Sequence, residues 1–130
     1  MKLRIRGDSL RFRLSPSEMA RLLQSGRIEE TVHFGPEHDA RLTYALLTNV
    51  DTPGQDESMK VVYGPQAISV VVASIQVRAW ANGAQVGMYA EVNTGAGRLE
   101  LAVEKDFACL DKSTADNQDT FPNPNQRTTC

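Results

Sequence analysis

Cysteine is scarce in this chain: its 130 residues include two, Cys109 and Cys130. Two thiols cannot staple a small secreted domain, so a disulfide framework is excluded, and both are expected to be reduced. Long hydrophobic runs are also lacking. The longest, around Ile68 to Ile75, is broken by Ser69 and Ser74 and falls short of the roughly 18 residues a membrane helix needs; it reads as a buried strand. Met1 leads into the alternating Lys2-Leu3-Arg4-Ile5-Arg6, with no continuous apolar stretch of the kind a secretory signal carries, so the expected address is cytoplasmic. Neither sign of charge dominates: fourteen Lys and Arg stand against sixteen Asp and Glu, net -2. Bulk-charge binding to nucleic acid is therefore not expected. Tyr44, Tyr63 and Tyr89 fall on separate segments, without the paired aromatics of an RNA-binding sheet. Gly-x-Ser-x-Gly, a phosphate-binding glycine loop and a dinucleotide fingerprint are all absent.

What is present is an ordinary globular balance, 41% apolar and 23% charged, in a length that suits one domain. Such a chain buries roughly 68% of its unfolded surface, enough for a core. Residues 2 to 14 alternate strictly on both sides of Gly7-Asp8, the pattern of a hairpin with a two-residue turn. That register pairs Ile5 with Leu10, Arg4 with Arg11, Leu3 with Phe12 and Lys2 with Arg13. All apolar side chains then share one face and all cations the other, which a one-residue slip would destroy. Ser15-Pro16-Ser17-Glu18 has the capping box and N-terminal proline of a helix start, with Leu14 and Met19 placed for a hydrophobic staple. Met19, Leu22 and Leu23 form the apolar stripe, and Gly26 is placed to stop the helix.

Further strands are predicted over Arg27 to Phe34, Arg41 to Thr48, Met59 to Tyr63, Ala67 to Val72, Val86 to Val92 and Arg98 to Phe107. A second short helix spans Ser74 to Asn82, carrying Ile75, Ala79 and Trp80, with Trp80 read as core. No internal repeat is legible. The expected fold is mainly β, with about eight mostly antiparallel strands as a barrel or sandwich, two short helices and an irregular tail. A two-layer α+β sheet is the alternative. Residues 1–110 form the domain and 111–130 a polar tail, which Phe121-Pro122-Asn123-Pro124 is suited to anchor.

The cationic hairpin face is the leading candidate site. Lys2, Arg4, Arg6, Arg11 and Arg13 stand together, and like charges facing each other across strands repel. Residues 1–13 carry net +4 and residues 99–119 net -4. Two resolutions remain open: an external acidic partner protein or small anionic ligand, or an internal ladder with Glu100, Glu104 and Asp106, if first and last strands are neighbours. A second candidate is a zinc or other transition-metal site built from His33, His38, Cys109 and Cys130, although the cysteines lack close pairing. Otherwise no cofactor is expected. Glu30 shares a strand face with Ile28, Val32 and Phe34 if alternation is regular, which makes it a candidate buried acid or base; a bulge at Glu29-Glu30 is the other reading. No constellation requires an enzyme, and Cys109 and Glu30 are the residues on which one would be built.

Leu3-Arg4-Ile5-Arg6-Gly7-x-Ser9-Leu10-Arg11, the helix opening Ser15-x-Ser17-Glu18, Glu104-Lys105-Asp106-Phe107-x-Cys109-Leu110 and Phe121-Pro122-Asn123-Pro124 together resemble a family of short bacterial proteins classed as a domain of unknown function. The resemblance covers nearly the whole chain. It implies a bacterial, cytosolic, single-domain protein and carries over no activity or ligand.

Overall fold

A computed structural model describes residues 1–49, 59–107 and 119–122. The alternating N-terminal segment forms β1 (Lys2–Ile5) and β2 (Ser9–Leu14), paired in the register the side chains dictate, Lys2 opposite Arg13 through Ile5 opposite Leu10. Gly7 turns the chain at φ +53°, a left-handed conformation that costs glycine little, and the Arg6 amide donates to the Ser9 carbonyl across the turn. Ser15 then caps α1 (Pro16–Ser25), with both arms of the capping box formed by Glu18. Gly26 ends the helix at φ +76°. A Cβ there would lie 3.1 Å from the Thr48 hydroxyl, so the same glycine also admits the strand beside it.

The remaining elements are β3 (Arg27–His33), β4 (Arg41–Asn49), β5 (Met59–Gly64), β6 (Ala67–Ala73), α2 (Ser74–Asn82), β7 (Gly87–Asn93) and β8 (Arg98–Lys105). They build two four-stranded sheets, β1-β2-β8-β7 and β3-β4-β6-β5. The architecture is therefore sandwich-like, and the barrel alternative is corrected: the sheet edges approach each other without joining in a ladder. The Met1 ammonium reaches Glu30 on β3 at 3.1 Å, and β5 lies near β7. Within each sheet the outer pairs are antiparallel but the central pairs, β2 with β8 and β4 with β6, are parallel. The last strand thus neighbours the second strand, not the first.

This topology contains a repeat that the residues conceal. A hairpin, a helix and a second hairpin occur twice, and each sheet takes one hairpin from either end of a unit. Lys2 faces Arg13 as Lys60 faces Val71, and the buried Met19 and Leu22 of α1 are answered at the same displacement by Val77 and Trp80 of α2. The turn Gly7-Asp8 is answered by Pro65-Gln66, where Gln66 takes φ 66°. Proline at the first turn position and a left-handed residue at the second make a different turn from the same two-residue spacing.

Between the sheets lies one core, in which Phe12, Leu14, Leu22, Leu46, Val70, Val72, Val77 and Val103 are fully buried. Trp80 is buried with them and its indole donates to the Val86 carbonyl at 3.2 Å, satisfying the one polar atom it brings inside. Two expected core residues face outward, Leu23 on α1 and Ile75 on α2, because each helix sends a narrower stripe into the core than its composition allows. At the other end of β8, Lys105 is buried, donates to the Gly83 carbonyl at 2.9 Å and lies 5.6 Å over the Phe121 ring. Phe121 also bridges to Phe107, while Asp119 accepts from the Ser17 amide and hydroxyl at the start of α1. These serine hydrogen bonds hold the Asp119 carboxyl below its ordinary range, so its contribution to stability is present above a pH near 4 and lost below it. Asn123 and Pro124 lie outside the described residues. No helix among the described residues is long and apolar enough to cross a membrane.

Candidate functional site

Strand alternation places the outward side chains of the first sheet in three rows. Lys2, Arg13, Glu104 and Gly87 make one row, Arg4, Arg11, Ala102 and Tyr89 the next, and Ser9, Glu100 and Glu91 the third, with Arg6 at its β1 end. Cations occupy the β1–β2 side and carboxylates the β8–β7 side. The parallel register of β2 with β8 decides which of them meet.

In the first row the charges are matched. Lys2 pairs with Asp106 at 2.8 Å, and Arg13 approaches Glu104 at 3.7 Å. Arg11 leans from the middle row to the same carboxylate at 3.2 Å, and Tyr89 donates its hydroxyl to the other oxygen of Glu104 at 2.7 Å. Glu104 is thus the hub of the face, with its side chain mostly buried. Gly87 makes this convergence possible: a Cβ there would stand 2.7 Å from the Val103 carbonyl, 2.8 Å from Glu104 Cγ and 3.1 Å from the Tyr89 hydroxyl.

Burial, together with the hydrogen bond to and the negative charge of Glu104, pushes the Tyr89 phenol up to about 12, against the lowering influence of Arg11 and Arg13. Tyr44 is raised to about 12 in the same manner, by burial and by Glu30. A phenol whose folded value exceeds its unfolded value keeps its proton in the native state after the unfolded chain has lost it. The stability this contributes is complete below pH 10 and is lost as pH rises toward 12. Phenolate absorbance of the folded protein should accordingly show Tyr44 and Tyr89 titrating late, and replacing Glu104 by Gln should bring Tyr89 back toward 10.

In the middle row the ladder has a gap. Glu100 and Glu104 stand on either side of Ala102, so no carboxylate is presented to Arg4. Arg4 and Arg6 are exposed and make no ion pair among the described residues. Arg4, Arg6, Ser9, Arg11, Tyr89, Glu91 and Glu100 rim a groove of about 500 Å³ over Ala102. The five expected cations therefore divide: Lys2, Arg11 and Arg13 are neutralised internally, as the ladder reading required, while Arg4 and Arg6 are left facing the groove. Ala102, Tyr89 and Glu91 were not singled out by sequence. The spacing Glu100-x-Ala102-x-Glu104 held the signal, one small residue interrupting an acidic face.

The other candidates form no site among the described residues. His33 ends β3 opposite Arg41, and His38, in the loop before β4, lies with its Nδ1 2.6 Å from an Arg41 guanidinium nitrogen. Cys109 and Cys130 are outside the described residues, and among those described no three His, Cys, Asp or Glu side chains cluster as metal ligands. Glu30 sits in an unbroken register opposite Tyr44, so the bulge reading is corrected. Its carboxylate is half exposed, not buried, and accepts the Tyr44 hydroxyl at 2.8 Å.

Fold and groove define a small two-sheet β domain with a charged concave outer face. The chain belongs to DUF7009, a family of unknown function, whose pattern it matches over residues 1–125. No curated protein and no solved structure matches it.

Proposed function

We propose that this protein is a non-catalytic binding module that receives a small anionic group in the groove over Ala102, between Arg4, Arg6 and Arg11. The observation that carries this reading is the gap in the ladder: Arg4 stands in the row where β8 presents Ala102, Arg6 stands beside it, and neither makes an ion pair among the described residues, while both line the groove over Ala102. A carboxylate or phosphate there would complete the row with charge-assisted hydrogen bonds, for which the arginine fork is well shaped. A small anion is favoured over an acidic protein surface because Glu91 and Glu100 stand on the opposite wall and would repel a broad negative surface. The volume also suits a small molecule.

The test is calorimetric titration of valerate and of inorganic phosphate into wild type and an Arg4→Ser/Arg6→Ser double variant. Neither arginine has a partner among the described residues, so the variant should keep its fold, with stability changed by no more than about 0.5 kcal/mol. Its anion affinity should fall at least about tenfold, roughly 1.4 kcal/mol. Equal binding by the two proteins, or unfolding of the variant, contradicts the reading. Arg11→Ser is the less clean substitution, since it also removes a partner of Glu104.

A further inference from the structure

The groove has a second unmatched charge, and its sign is negative. Glu91 is held by Arg98 at 3.1 Å, but the Glu100 side chain makes no ion pair or hydrogen bond among the described residues, although it is exposed and lines the groove. Glu100 and Ala102 are two residues apart on β8 with side chains on the same face, so the open position over Ala102 and the Glu100 carboxylate are separated by about 7 Å. Beside the open position, the Tyr89 hydroxyl is bound to Glu104, on the other side of Ala102 from Glu100, and the Tyr89 side chain stays exposed on the β7 wall of the groove.

From this arrangement, and resting on the anion reading above, we infer that the ligand is bipolar: an ω-amino carboxylate or similar zwitterion, its anionic end between Arg4 and Arg11 and its ammonium at Glu100. The spacing sets the length. An α-amino acid holds its two charges too close together to reach both groups, whereas a chain of several methylenes spans them. A dianion of equal length would satisfy the arginines at one end and meet Glu100 at the other, where like charge disfavours it.

Four probes of matched carbon length separate these cases by calorimetry or by amide shift titration: δ-aminovalerate, valerate, glutarate and pentylamine. Wild type should bind δ-aminovalerate about tenfold more tightly than glutarate, with valerate between them and pentylamine weakest. Glu100→Gln, at an exposed site whose side chain has no partner among the described residues, should reverse the order of δ-aminovalerate and glutarate and leave valerate unchanged. Glutarate binding as tightly as δ-aminovalerate in wild type, or an order that survives Glu100→Gln, overturns the bipolar ligand while leaving the anion site standing. Failure of all three carboxylates and of inorganic phosphate to bind overturns the anion site itself.

Discussion

Ala102→Glu should weaken anion binding sharply while leaving all five cations of the hairpin in place. The substitution puts a carboxylate on β8 opposite Arg11, where the ladder lacks one, and within reach of Arg4. The protein's own side chain then occupies the position proposed for the ligand, at an effective concentration no free anion matches. Affinity for valerate should drop by about tenfold to a hundredfold, or roughly 1.4 to 2.7 kcal/mol. Stability should move by less than about 1 kcal/mol, because exposed ion pairs contribute little and the new carboxylate also feels Glu100 and Glu104 along the same strand. Ala102→Ser is the control: it leaves the space open and adds no charge, so it should bind as wild type does. An Ala102→Glu protein that retained wild-type affinity would place the anion elsewhere.

The largest expected effect on stability belongs to Trp80→Ala. The indole is essentially inaccessible to solvent and is the largest fully buried side chain. It lies on the buried side of α2, at the position that corresponds in the other half to Leu22, which is also fully buried. Truncating it removes the transfer free energy of the ring, leaves a cavity and takes from the Val86 carbonyl one of its two donors, the Lys105 amide being the other, for a total of about 3–5 kcal/mol. Domains of this size are stable by roughly 5–15 kcal/mol, so much of the total would be lost. Chemical denaturation of Leu22→Ala should show a loss of about 2–5 kcal/mol, smaller in proportion to the side chain removed. Nearly unchanged midpoints in both variants would mean that the two helices do not close the core.

Local chemistry made parts of this fold legible and left others hidden. The first hairpin and α1 could be read residue by residue, because turn glycine, alternation, capping box and stop glycine act over a few positions. Strand positions were likewise visible in alternation, with ends differing by a residue or two. Pairing between distant strands was not, since β2 beside β8 and β4 beside β6 depend on how four hairpins are shared between two sheets. The internal repeat stayed hidden for a related reason. Corresponding positions need only be apolar inward and compatible with solvent outward, so Arg11 and Arg13 in one half can stand where Ser69 and Val71 stand in the other.

The candidate site divides along the same line. A cationic face follows from alternation within β1 and β2 alone, and the acidic series Glu100 and Glu104 follows from alternation within β8. Which cation meets which carboxylate follows only from the parallel register between them. That register turns Ala102 from an ordinary small strand residue into the gap beside Arg4.

The most direct test of the anion site is an amide shift titration of the wild-type protein with valerate. The account predicts that the shifts concentrate at Arg4, Arg6, Arg11, Tyr89 and Ala102, on all four strands of the first sheet and the hairpin turn, with the second sheet unaffected. Shifts centred on the second sheet or the helices, or none at concentrations that saturate a millimolar site, would contradict it.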